Sequence, residues 1–100
     1  MTITKEQKGS ALTILLEGSL DTMSAPELEA ELSRSLDGVE ELIFDFGNLT
    51  YISSAGLRAM VAAYKSMSGK GDMKIIRVNE VVMEIFQVTG LDEALNIEPA

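Results

Sequence analysis

The chain has 100 residues, 46% of them apolar, with three Phe, two Tyr and a formal charge of −8 at pH 7. That is enough apolar material for one domain with a real core built mainly from aliphatic side chains. The acidic balance speaks against nucleic acid and anionic membranes as partners, because phosphate contacts need clustered Lys and Arg, while it leaves room for a basic protein partner. Cysteine and histidine are both absent, which excludes disulfides, thiol catalysis, Cys-ligated zinc and any Ser-His-Asp arrangement.

Thr2–Lys5 alternates weakly and reads as an edge strand, and Lys8-Gly9-Ser10 as a hairpin turn. No apolar stretch resembling a signal peptide follows Met1, and the longest apolar run falls far short of the roughly 20 residues that span a bilayer. A soluble, cytoplasmic protein is therefore expected. Ala11–Glu17 reads as a strand with Leu12, Ile14 and Leu16 on one face, broken by Gly18-Ser19. Leu20–Met23 is a loop leading to a capping box, Ser24 with Glu27 three residues on and Pro26 in the first turn. Leu28, Leu32 and Leu36 then mark the buried stripe of a helix that Asp37-Gly38 ends.

The unbroken apolar run Leu42-Ile43-Phe44 predicts a central strand over Glu41–Asp45, followed by a turn at Gly47-Asn48 and a short apolar return at Tyr51-Ile52. Helical spacing resumes at once. It predicts a helix over Ser54–Ser68 with Leu57, Met60, Val61 and Tyr64 buried, Arg58, Ala62 and Lys65 outward, and Ala55 and Ala59 small beside them. Ser54 stands where the N-cap of that helix is expected, a place that also favours a phosphate because backbone donors and the positive end of the helix dipole converge there. Gly69–Asp72 is a loop and Met73–Val78 a strand. Asn79 is placed to cap a third helix with Val82, Ile85 and Phe86 inward. Thr89-Gly90-Leu91 reads as a Schellman-type stop, and Ala94–Ile97 as a last short strand. The expected architecture is a single α/β domain over residues 1–100, a small mixed sheet with helices packed against it.

Three patterns bear on chemistry. Gly69-Lys70-Gly71 follows a helix and precedes a strand, the wrong context for a P-loop, and is read as a turn. Ser54-Ala55-Gly56 faintly echoes a nucleophile elbow, but the full Gly-x-Ser-x-Gly and any histidine base are missing, so a hydrolase is disfavoured and the protein is not expected to be an enzyme. Asp21 and Asp45 each follow a predicted strand, where open α/β sheets gather their sites. For Asp21 a functional and a turn-capping reading stand side by side, and Asp45 leans structural. Two carboxylates fall short of a dedicated cation site, so no metal or cofactor is expected.

The stretch Asp45–Leu57, a strand ending in Asp and an apolar-aromatic return into Ser53-Ser54-Ala55-Gly56-Leu57, resembles the signature of the STAS domain, the family of bacterial anti-sigma factor antagonists. Leu16–Asp21 resembles its Gly-x-Leu-Asp element, and Phe86–Leu91 its late helix and turn. The resemblance covers essentially the whole chain. It implies partner switching in transcription control: an antagonist that binds a serine kinase acting as an anti-sigma factor, is phosphorylated by it with ATP, and is restored by a PP2C-type phosphatase. Ser54 matches the phosphorylated serine and Asp21 the loop Asp that lies near the partner's nucleotide. Ser53, Gly56, Leu57 and Arg58 would belong to the docking surface. Ser53 stands where the family often has Asp, which sets two hydroxyls side by side and makes Ser53 the alternative acceptor. Stand-alone STAS domains also serve bacterial lipid-transport ABC complexes, so an accessory subunit bound to such an ATPase is the second expectation. Co-purification with a GHKL-type kinase or with an ABC ATPase separates the two.

Overall fold

The computed structural model describes all residues from Met1 to Ala100. In chain order the elements are β1 (Thr2–Lys8), β2 (Ala11–Leu20), α1 (Ala25–Ser35), β3 (Glu41–Ile52), α2 (Ser54–Met67), β4 (Asp72–Val78), α3 (Glu80–Thr89), α4 (Leu91–Ala94) and β5 (Ile97–Pro99). The five strands form one sheet in the order β1-β2-β3-β4-β5. β1 and β2 form an antiparallel hairpin, and β2 through β5 run parallel. Each parallel step needs a crossover, which α1, α2 and α3 supply in turn. The carboxyl ends of β2, β3 and β4 therefore open along the same edge of the sheet.

Burial alternates along the strands as a half-covered sheet requires. Leu12, Ile14 and Leu16 of β2 and Leu42, Phe44 and Phe46 of β3 are buried, while Thr13, Leu15, Ile43 and Asp45 between them are half-buried. The buried side joins Leu28 and Leu32 of α1, Met60, Ala63 and Met67 of α2, and Val82 and Phe86 of α3 in one apolar cluster. The Phe46 and Phe86 rings stack with centroids 6.2 Å apart, fixing α3 against β3.

The strands run further than the sequence suggests. β2 does not stop at Gly18-Ser19, and β3 does not turn at Gly47-Asn48. Both irregularities are absorbed as bulges, where pairing of Leu15 with Asp45 jumps to Glu17 with Asn48, and Gly18 with Leu49 jumps to Ser19 with Tyr51. Gly18 takes a φ of +106°, open only to glycine at low cost, and its carbonyl accepts from the Thr50 hydroxyl at 3.0 Å. β1 likewise continues to Lys8, and the last strand lies at Ile97–Pro99 because Leu91–Ala94 forms the short α4 instead.

The inward face of α2 also differs from expectation. Gly56, Ala59, Met60, Ala63 and Met67 are buried, whereas Leu57 and Val61 are half-buried and Tyr64 is exposed. The helix has two apolar stripes about 100° apart, and the one rich in Gly and Ala lets its backbone come closest to the sheet. A Cβ on Gly56 would lie 2.7 Å from Ile52 Cγ1 and 2.8 Å from the Leu20 carbonyl oxygen, so any side chain there would lift the start of the helix. The expected cap at Asn79 and stop at Gly90 are both present: Asn79 Oδ1 accepts from Val82 N–H at 2.8 Å, and Gly90 has a φ of +77°. Ile85 is only half-buried.

Candidate functional site

β3 hands over to α2 at the open edge of the sheet. Ile52 is buried at the end of β3, pinned beside Leu20 of β2. Ser53 keeps an extended backbone (φ −97°, ψ 177°), its N–H donates to the Leu20 carbonyl at 2.9 Å, and its carbonyl accepts from Leu57 N–H at 2.9 Å. Its hydroxyl oxygen accepts from Gly56 N–H at 3.4 Å, a long capping contact. Ser53, not Ser54, is therefore the N-cap. The cap lies one residue earlier than expected, while the helix itself starts at Ser54 as predicted. Ser54 is the first helical residue, exposed, with no capping duty for its hydroxyl. The two neighbouring hydroxyls are thus unlike: one half-buried and engaged, the other open to solvent.

Asp21 follows Leu20 directly, so it stands one residue beyond the pair that anchors Ser53. Its Oδ1 accepts from Met23 N–H at 3.0 Å and Ser24 N–H at 3.1 Å, with the Ser24 hydroxyl also 3.1 Å away. That hydroxyl accepts from Asp21 N–H at 2.9 Å and donates to the Ser19 carbonyl at 2.8 Å. The Ser24 side chain is turned back toward β2 and makes no capping bond to α1, so the predicted capping box is not formed; the Asp21 carboxylate closes the turn before the helix, and the Asp21 backbone carbonyl accepts from Ala25 N–H at 2.8 Å. The Ser24 backbone bond is the main reason the Asp21 carboxyl lies below its ordinary pKa. The loop consequently carries a fixed negative charge beside the start of α2.

Asp45 is not part of this edge. It lies within β3, and Arg77 forks onto it, Nε to Oδ1 at 2.8 Å and a second guanidinium nitrogen to Oδ2 at 2.9 Å, while Gly47 N–H donates to Oδ1 at 2.9 Å. Partial burial alone would raise the Asp45 pKa; the Arg77 pair and the Gly47 bond outweigh it and hold the carboxyl below its usual value. Arg77 adopts a φ of +56°, the left-handed region, at a bulge between β4 and β5. Its guanidinium occupies the space a Cβ on Gly47 would need, within 2.5 Å. Arg77 is the residue that sequence reasoning missed, since only the strand register, with Asp45 beside Ile76, brings it to Asp45.

Of the remaining expected docking residues, Arg58 is exposed and Leu57 half-buried on the first turn of α2, while Gly56 is buried and acts by letting the helix approach the sheet. Met23 is 87% exposed in the Asp21 loop and Tyr51 49% exposed at the end of β3, so the edge carries apolar as well as charged surface. A hollow of about 760 Å³ lies at the opposite end of the sheet between Glu41, Tyr64, Asp72 and Asn96. Ser54 does not line it, and a smaller hollow of about 490 Å³ lies beside the Asp21 loop, lined by Ser19, Asp21, Met23, Ser24 and Glu27. No helix is long and apolar enough to cross a membrane.

The STAS domain profile matches residues 2–100. The chain belongs to the STAS domain family. Over 92 residues this STAS domain is 33% identical to BtrV of Bordetella bronchiseptica, by name a candidate anti-sigma factor antagonist, covering 90% of this chain and 79% of that one. It is 28% identical over 82 residues to the anti-sigma-B factor antagonist of Staphylococcus aureus, covering 80% and 76%. Among solved structures, an anti-sigma factor antagonist from Mycobacterium paratuberculosis shares its fold with a TM-score of 0.89 at 21% identity, covering 99% of this chain and 86% of that one. Unphosphorylated SpoIIAA superposes with a TM-score of 0.78 at 17% identity, covering 99% and 89%. The phosphorylated form of Bacillus SpoIIAA gives 0.76 at 19%, covering 96% and 90%.

Proposed function

We propose that this STAS domain is an anti-sigma factor antagonist whose binding is switched by phosphorylation of Ser54. The observation that carries the reading is the division of labour at the start of α2, where Ser53 caps the helix and leaves the Ser54 hydroxyl free on the surface. The names of the relatives point to an anti-sigma factor as the partner. In the finer form of the proposal that partner is a GHKL-type serine kinase, with a PP2C-type phosphatase reversing the modification. The transfer forms a bond from Ser54 Oγ to the γ-phosphorus of ATP, breaks the bond to ADP, and passes the hydroxyl proton to a base on the kinase.

The physical chemistry supports a switch that alters binding more than folding. A phosphate on Ser54 adds about −1.5 to −2 charges. On the free domain it stands in water at a helix N-terminus, where the dipole and unpaired N–H groups favour an anion. In a complex the partner must strip that dianion of water beside the ionised Asp21, which costs far more than covering a neutral hydroxyl. The test is calorimetry against a purified anti-sigma factor kinase. Ser54→Asp is expected to weaken binding at least about tenfold while the melting temperature stays put, and Ser54→Ala to bind yet accept no phosphate. Unchanged affinity of the Asp variant would overturn the proposal. A stable complex with an ABC ATPase, indifferent to Ser54, would replace it with the transport reading.

A further inference from the structure

Helix α3 carries more apolar surface than the core uses. Val82 and Phe86, its two buried residues, mark the inward side. Val81, Ile85 and Val88 recur at i, i+4 and i+7, so they form a second stripe beside the first. Val81 is 58% and Val88 80% exposed, and the half-buried Ile85 joins them to the core. Single exposed aliphatic residues are ordinary on a protein surface, but three aligned on one helix face form a continuous ridge. Glu80 and Glu84, both exposed, run along its far edge. From Val78 to Ala100 the sequence has five acidic residues and no Lys or Arg, and neither Glu80 nor Glu84 is in an ion pair.

We propose that this outer face of α3 is a docking surface for a basic amphipathic helix of another protein, its apolar side chains on the Val81–Ile85–Val88 ridge and its Lys or Arg residues against Glu80 and Glu84. A second copy of this chain fits poorly, since a two-fold pairing would bring the same uncompensated carboxylates together. A ridge of three aliphatic side chains covers far less than the ~1,000 Å² of a stable interface, so the contact is weak by itself. It is independent of the Ser54 reading.

The experiment is a methyl NMR titration of the whole chain with a peptide of about 18 residues made of Leu and Lys, long enough to fold as a helix on binding, with Leu at helical spacing. A scrambled peptide of the same composition, lacking an apolar face, is the control. The expected result is shifts centred on the Val81, Ile85 and Val88 methyls, at least about tenfold weaker binding of the scrambled peptide, and loss of the Ile85 methyl response in the doubly substituted Val81→Ser, Val88→Ser chain. Both substitutions are at exposed positions, so an unchanged melting temperature verifies that the fold survives. An equal response to the two peptides would reduce the effect to charge and overturn the proposal. So would shifts centred on the Met23 and Leu57 methyls, or shifts of the α3 methyls that depend on protein concentration alone, which would make a second copy the occupant.

Discussion

Ser53 and Ser54 have the same side chain and differ by one position relative to the helix, and that position decides what each can do. The Ser53 oxygen is committed to Gly56 N–H, whereas Ser54 projects from the first helical residue. Ser53→Ala should cost about 1 kcal/mol, the ordinary worth of an N-cap, read as a lower midpoint in urea unfolding. The same variant should still be phosphorylated at Ser54. Gly56 stands on the other side of this turn, and Gly56→Ala should destabilise by about 1–3 kcal/mol, because the added methyl meets Ile52 and the Leu20 carbonyl. If the alanine variant unfolded at the wild-type midpoint, the close approach of α2 to the sheet would be refuted. At this scale the sequence was legible as far as residue type and spacing reach. The Ser-Ser-Ala-Gly-Leu run pointed to the right turn, but which serine caps depends on Ser53 N–H bonding to Leu20, a contact across the sheet that spacing along the chain cannot reveal.

Elements show the same division. Strand runs, the Asn79 cap and the Gly90 stop rest on local chemistry and were readable directly. The inward side of α3 was readable too, with Val82 and Phe86 buried as expected, but that of α2 was not, because it has two apolar stripes and only packing chooses between them; the sheet accepted the Gly and Ala side of α2, leaving Tyr64 outside. The bulges of β2 and β3 looked like chain breaks for a related reason, since glycine marks either. The link between β3 and β4 is the Asp45–Arg77 fork, with the Asp45 side chain largely covered and Arg77 half exposed. Asp45→Asn should cost about 1–2 kcal/mol at neutral pH through loss of a charge-assisted pair. The folded-state pKa of Asp45 is lowered, so its contribution is complete above the unfolded value of about 4 and disappears as pH falls through the folded one. The stability gap between wild type and Asp45→Asn should therefore close on acidification below about pH 4, and a gap independent of pH would contradict the assignment.

For the molecule as a whole, three carboxyls with lowered pKa values tie the fold to ionised acids. Asp21 is held by Ser24 N–H, Glu31 by hydrogen bonds from Lys5 and then Arg34, and Asp45 by Arg77 and Gly47 against its own burial. All three shifts have the same sign, so thermal stability should fall on the acid side of about pH 4, with the steepest loss below it. The net charge of −8 adds to the case for a basic partner and sets no constraint on the fold. In the proposed reading, topology is what would make the domain a switch. Parallel strands β2 and β3 deliver the Asp21 loop and the start of α2 to one edge, and the buried Ile52 and Leu20 hold that edge rigid beneath an exposed serine. The central claim is that Ser54 alone is offered for modification. Incubation with candidate GHKL-type anti-sigma factor kinases and ATP, followed by mass mapping of the modified residue, tests it most directly: the account predicts one phosphate, on Ser54, and none on Ser54→Ala, whereas label on Ser53, or label persisting in the alanine variant, would contradict it.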